Sequence, residues 1–212
     1  MVQSRPTGGR ERKWIAGGSL ILLSLLVVGW SDSWQAIESE LKNVTSIQAE
    51  FVQEKHLKIL VKPLISRGKF IFKVPGSLRW EYQSPIENIL IMHQGQVQRW
   101  VKKGSKLAAD TGTPIEIMDI VMEEIAQWLQ GRFLDNPNFS ASRIESNQIQ
   151  LTPVNAAMAP IIQGIVIQLS AVPGAIDSVT IFESPDNFTR IMFKRVRLNQ
   201  PIDEGIFTLT GP

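Results

Sequence analysis

Cysteine is absent from this chain of 212 residues, histidine occurs twice and tyrosine once. The missing thiols exclude disulfides, thiolate metal sites and a lipid-modified N-terminal cysteine together. His56 and His93 lie far apart and offer no His-x-His or His-x-x-x-His spacing, whereas zinc takes about four ligands. No Gly-x-Gly-x-x-Gly or Walker-type loop occurs, and no Gly-x-Ser-x-Gly elbow. The adjacent carboxylates Glu123-Glu124 and Asp203-Glu204 point to different sides of any helix or strand, which suits a solvated face and not a shared acid/base site. The chain reads as a protein that is not an enzyme and that calls for no cofactor and no metal.

Concentrated positive charge is also missing once the leader is set aside. Residues 1–31 hold four basic and one acidic side chain, which leaves 18 basic against 19 acidic in the remainder. A nearly neutral domain argues against a nucleic-acid partner, whose affinity rests on clustered Lys and Arg. The leader itself has Arg5, Arg10, Arg12 and Lys13 followed by an uncharged apolar run from Trp14 to Trp30. This is the layout of a secretory signal, with cleavage expected after Ser31 and, as second choice, after Ser33. The alternative is an uncleaved anchor, since Trp brackets the run at both ends. The expected organisation is a signal segment over 1–31 and one domain over 32–212.

Periodicity places a short amphipathic helix at about 33–44, from Trp34, Ile37, Leu41 and Val44. Strands read as about 47–55, 57–62, 65–74, 78–83, 88–93 and 96–102, with Pro63, Pro75-Gly76, Pro85 and Gln94-Gly95 between them. From Thr113 the pattern turns helical: Pro114 suits a first helical position, and Ile117, Ile120, Val121, Ile125 and Trp128 share a stripe that ends near Gly131. Strands resume at about 139–144, 148–152, 164–170, 176–183, 188–197 and 205–210. Residues 155–163 read as a short helix or a loop. The fold class is mainly β (α+β): roughly eleven antiparallel strands with two or three helices.

The segment Ser66 to Pro85 is the most informative. Phe70, Phe72 and Val74 alternate with Lys69 and Lys73, and Leu78, Trp80 and Tyr82 alternate with Arg79, Glu81 and Gln83. A three-residue loop Pro75-Gly76-Ser77 would pair Val74 with Leu78, Phe72 with Trp80 and Phe70 with Tyr82, aromatic facing aromatic. In that register Arg79 points to water and Glu81 lies diagonal to Lys73. The hairpin resembles the LolA family of periplasmic lipoprotein carriers, in which a Gly-x-Phe strand, a Pro turn and an Arg-Trp-Glu-Tyr strand follow in this order. Phe51-Val-Gln-Glu-Lys55, Ile91 to Gly95 and Ile202-Asp-Glu-Gly-Ile-Phe207 extend the resemblance over roughly residues 34 to 210.

On residues alone, the apolar faces fit either a filled core or the lining of a cavity. The resemblance favours the cavity: it implies an incomplete antiparallel barrel capped by helices, in a periplasmic monomer that carries lipoprotein acyl chains or another lipid. The implied partners are an inner-membrane lipoprotein-release complex and an outer-membrane acceptor. The expected lipid-binding lining is Phe51, Phe70, Phe72, Leu78, Trp80, Ile89, Ile91 and Trp100 from the strands, with Ile117, Val121 and Ile125 from the second helix. The chain departs from the family at Val74, where carriers have an Arg that bonds the helical lid. The rival expectation is a membrane-anchored periplasmic sensor or interaction module of the same fold.

Overall fold

The computed structural model describes residues 31–110, 117–134, 136–154, 156 and 158–208, and within its helices it leaves the side chains of 31–33 and 117–122 undescribed. Helix α1 (Ser31–Lys42) leads into six strands: β1 (Ser46–His56), β2 (Leu64–Lys73), β3 (Ser77–Ser84), β4 (Asn88–His93), β5 (Gln96–Lys103) and β6 (Lys106–Ala109). Helix α2 (Ile117–Trp128) precedes β7 (Phe139–Glu145), β8 (Gln148–Pro153), β9 (Gly164–Leu169), β10 (Ile176–Ser184) and β11 (Asn187–Leu198), and a 3-10 helix (Glu204–Phe207) follows. All eleven strands join one antiparallel sheet in the order β6-β5-β4-β3-β2-β1-β11-β10-β9-β8-β7. Its two edges, β6 and β7, do not pair with one another, so the barrel is incomplete, as expected.

The sheet's inner face carries Phe51, Phe70, Phe72, Leu78, Trp80, Ile149, Ile165 and Ile191, all buried in one cluster with Ile37 and Leu41 of α1, Ile125 and Trp128 of α2, and Leu129 just past its end. Alternation in the strands and a one-sided apolar stripe in each helix bring these side chains to one side. Burying each large apolar side chain contributes about 1.5–3 kcal/mol. Gly68 in β2 is required by this packing, because a Cβ there would lie 1.9 Å from Glu81 O and 2.7 Å from Phe51 Cζ. The Phe51 ring lies across the glycine, 4.6 Å from Trp80 between centroids.

Several expectations are corrected. Residues 57–62 form no strand: β1 already has β2 and β11 as neighbours, and Leu60 N donates to Leu57 O (2.9 Å) to close a turn instead. The hairpin loop is Val74-Pro75-Gly76, with Lys73 opposite Ser77, Phe72 opposite Leu78 and Phe70 opposite Trp80, two residues away from the expected pairing. Parity survives the shift, so the four apolar side chains still share a face. The ion partner of Glu81 is Arg79 (2.8 Å), not Lys73, which pairs with Glu204.

The expected strand at 205–210 begins as the 3-10 helix, capped by Asp203, whose Oδ1 accepts from Gly205 N at 2.7 Å; residues 209–212 lie outside the described residues. Strands β1 and β11 are both paired on two sides, so the segment does not extend the sheet beside them and packs side chains on its outer face instead. Strand β6 was not anticipated. The described part of 155–163 is a turn in which Ile162 N donates to Met158 O. Pro114 and residues 1–30 of the leader fall outside the described residues, and the two expected cleavage positions, after Ser31 and after Ser33, fall in the first turn of α1.

Candidate functional site

The structure divides the expected lining between two faces. Phe51, Phe70, Phe72, Leu78 and Trp80 converge on the inner face under α2, together with Ile125, each 2% exposed or less. Ile89, Ile91 and Trp100 sit on the outer face, because β3 pairs Arg79 with Ile91 and Glu81 with Ile89, while Trp80 faces Leu90. The expectation of a shared face fails for these three: they meet Phe207, Ile202 and Ile206 of the C-terminal segment in a second apolar cluster. Leu90 and the partly buried Met92 are the inner-face apolar residues of β4. The side chains of Ile117 and Val121 lie outside what is described.

Arg79 is likewise not solvated. Its guanidinium donates to Glu81 Oε2 and, from Nη1, to Ile206 O (3.1 Å), and its side chain is 13% exposed. Glu124, expected on a solvated face, is buried and accepts hydrogen bonds from Asn136 Nδ2 and Asn138 Nδ2. His93 Nδ1 bonds Ser77 Oγ (2.8 Å) and its ring stacks on Phe207, while His56 stacks on Phe188 at 4.2 Å. Among the described residues no group of three His, Asp or Glu side chains could hold a metal ion.

Between the described part of α2 and the sheet lies a gap of about 20 Å³, lined by residues that include Ala49, Phe70, Ile125, Leu129, Phe193 and Val196. About 10–15 Å³ of such space holds a single water, so this gap is too small for an acyl chain unless α2 shifts. Phe193 was missed in the sequence, although it alternates with Ile191 in β11; its ring stands 5.5 Å from Phe70 and 6.2 Å from Trp80. Among the described residues Trp80 Nε1, Trp128 Nε1 and, on the outer face, Trp100 Nε1 are buried donors without an acceptor. The described side-chain bonds of α2 run to its own C-terminal loop, Glu124 to Asn136 and Asn138 and Gln127 Oε1 to Arg132 Nη1 (3.0 Å). Against the sheet it lays Ile125, Ala126 and Leu129. Val74, in place of the Arg, stands in the β2–β3 turn, 40% exposed, and its N–H donates to Thr45 O.

A family model described as outer membrane lipoprotein carrier protein LolA matches residues 42–210. The chain belongs to the LolA family. Among solved structures, a DUF1329 family protein from Desulfovibrio piger is similar to this LolA-family chain at 10% identity and TM-score 0.48, over 84% of this chain and 96% of the other. A LolA superfamily protein from Nitrosomonas europaea follows at 9% identity and TM-score 0.44, covering 84% and 97%. The lipoprotein LppX of Mycobacterium tuberculosis is similar at 9% identity and TM-score 0.43, covering 81% and 96%. No protein of curated function matches the sequence.

In this LolA-family chain the inner face therefore carries an aromatic and aliphatic cluster, and the described part of α2 meets it through apolar side chains. Among the described residues no helix is long and apolar enough to cross a membrane.

Proposed function

We propose that the protein is a periplasmic lipid carrier that takes the acyl chains of a lipoprotein, or another lipid of like chemistry, between the inner face and α2 and moves them from the inner to the outer membrane. Loading comes from an inner-membrane release complex and unloading goes to an outer-membrane acceptor, after removal of residues 1–31. The observation that carries this reading is the apolar cluster of the inner face under α2, where Trp80 Nε1 has no acceptor among the described residues. An orphaned buried donor costs about 1–3 kcal/mol. The ester or amide carbonyl of an acyl group supplies the missing acceptor, and each buried methylene adds about 0.8 kcal/mol. In this reading Ile117, Val121 and Ile125 contact the cargo, and with Val74 in place of an Arg, closure rests on apolar contact.

Native mass spectrometry of the protein purified from its own envelope tests the reading. The expected species starts at Asp32 or Trp34 and carries an acyl-chain adduct that a fluorescent fatty-acyl probe displaces. Ala49→Leu, which fills the gap beside Ile125, should weaken probe binding while the fold persists by circular dichroism. A protein that carries no adduct and binds no probe is not a carrier. The bracketing of the leader by Trp14 and Trp30 favours a second reading, a membrane-anchored lipid-binding module; a full-length species in the membrane fraction would select it.

A further inference from the structure

The β1–β2 loop carries the apolar run Ile59-Leu60-Val61 between Lys58 and Lys62, and it does not bury it: Ile59 is 86% exposed and Val61 102%. Single exposed apolar residues are ordinary, but three in a row on a projecting tip are not. The tip projects because β1 and β2 stay paired from Arg67 on to Leu64 after β3 has ended opposite Arg67 at Ser84, a further run of about 10 Å at ~3.3 Å per residue.

The loop is held in this pose. Lys58 N donates to Asn187 Oδ1 (2.9 Å), Lys58 Nζ pairs with Asp186 (2.7 Å), and at its base His56 stacks on Phe188. Antiparallel order puts the β3–β4 and β5–β6 turns on the same rim, where Ile86 is 68% exposed and Lys103 and Lys106 are also exposed. Among the described residues of these turns the acids Asp186 and Glu87 are paired with Lys58 and Lys102, so Lys62, Lys103 and Lys106 give them a positive balance.

We propose that this loop is a membrane-docking tip: Ile59, Leu60 and Val61 enter the interface of an anionic lipid bilayer while the rim lysines meet its headgroups. A protrusion with apolar ends and basic flanks fits a deformable apolar layer beneath negative charge, whereas a protein partner would need a matching cleft. The inference does not depend on the cargo reading, since it concerns the outside of the sheet's end and not the space under α2.

The absence of cysteine makes the test direct, because Val61→Cys gives the full chain a single thiol for an environment-sensitive fluorophore. On vesicles of phosphatidylethanolamine and phosphatidylglycerol the label should shift to the blue and be quenched by brominated lipid, and it should do neither on phosphatidylcholine. The same label at Val97→Cys, on the opposite rim and 48% exposed, should stay in water. Adding Ile59→Ser and Lys62→Glu should weaken the apparent vesicle affinity by about tenfold or more. An unshifted label at position 61, or equal shifts at 61 and 97, overturns the proposal. So does a shift without lipid that tracks a monomer–dimer equilibrium in sedimentation, which would make the tip a contact between copies.

Discussion

Glu124 carries a buried carboxylate at the point where α2 gives way to the loop that enters β7. Its two oxygens take the carboxamides of Asn136 and Asn138, and Asn136 Oδ1 in turn accepts from the backbone N–H of Asn138 (2.8 Å) and Phe139 (3.0 Å). Glu124→Ala should therefore remove the acceptor shared by two carboxamides, at a cost of about 1–3 kcal/mol. For a chain of this size that is a fall in Tm of roughly 2–10 °C, read by calorimetry. A shift below about 1 °C would mean that the network is solvated. Beside Glu123 in the sequence this carboxylate is indistinguishable from a surface charge, because its partners arrive from a loop whose position no local pattern encodes. Gly68 is similar: the Gly-x-Phe motif is visible, but the ring of Phe51 that forbids a side chain there comes from another strand.

The hairpin β2–β3 shows what periodicity does and does not convey. Which side chains share a face follows from alternation alone and is the same for the expected and the observed register, whereas the pairing depends on how the turn closes, here with Gly76 N donating to Lys73 O. The apolar pattern of β4 and β5 gives no sign of which side of the sheet is inner. Ile89, Ile91 and Trp100 turn outward because the C-terminal 3-10 helix covers them with Phe207. Phe207→Ala should cost about 3–5 kcal/mol by opening that cluster. Arg79→Glu should set a carboxylate beside Glu81 and remove the donor to Ile206 O. In both variants amide exchange over Glu204–Phe207 should rise, while β2 and β3 keep their protection per unit of remaining stability. Unchanged exchange over that helix would mean that the outer cluster does not hold it in place.

Strand β1 pairs with β11 across the middle of the sheet, so residues near the two ends of the described chain form its central seam. The seam bends at a bulge where Arg195 takes a left-handed conformation (φ 52) and pairs with Glu50. Neither half of the sheet has an independent core: α1 and α2 bury side chains among strands from both sides of the seam. Thermal unfolding should accordingly show one transition with coincident midpoints by far-ultraviolet circular dichroism and tryptophan fluorescence, unaffected by reductant because no disulfide exists. Two separated transitions would show that the strands up to β6 and those from β7 fold as separate units.

By itself the sequence determined the antiparallel β class, ten of the eleven strands to within about two residues, the aromatic face of the hairpin and the family motifs, because period-2 alternation and turn residues are local and need no partner to be read. It also determined the absence of thiol chemistry. Only the tertiary structure decided that the lining splits between two faces, that Arg79 and Glu124 are enclosed, and that Ile59-Leu60-Val61, read as a strand, stands out in solvent. The reason is that apolar character says a side chain is stable out of water, while what removes it from water, or fails to, is a neighbour contributed by a distant part of the chain.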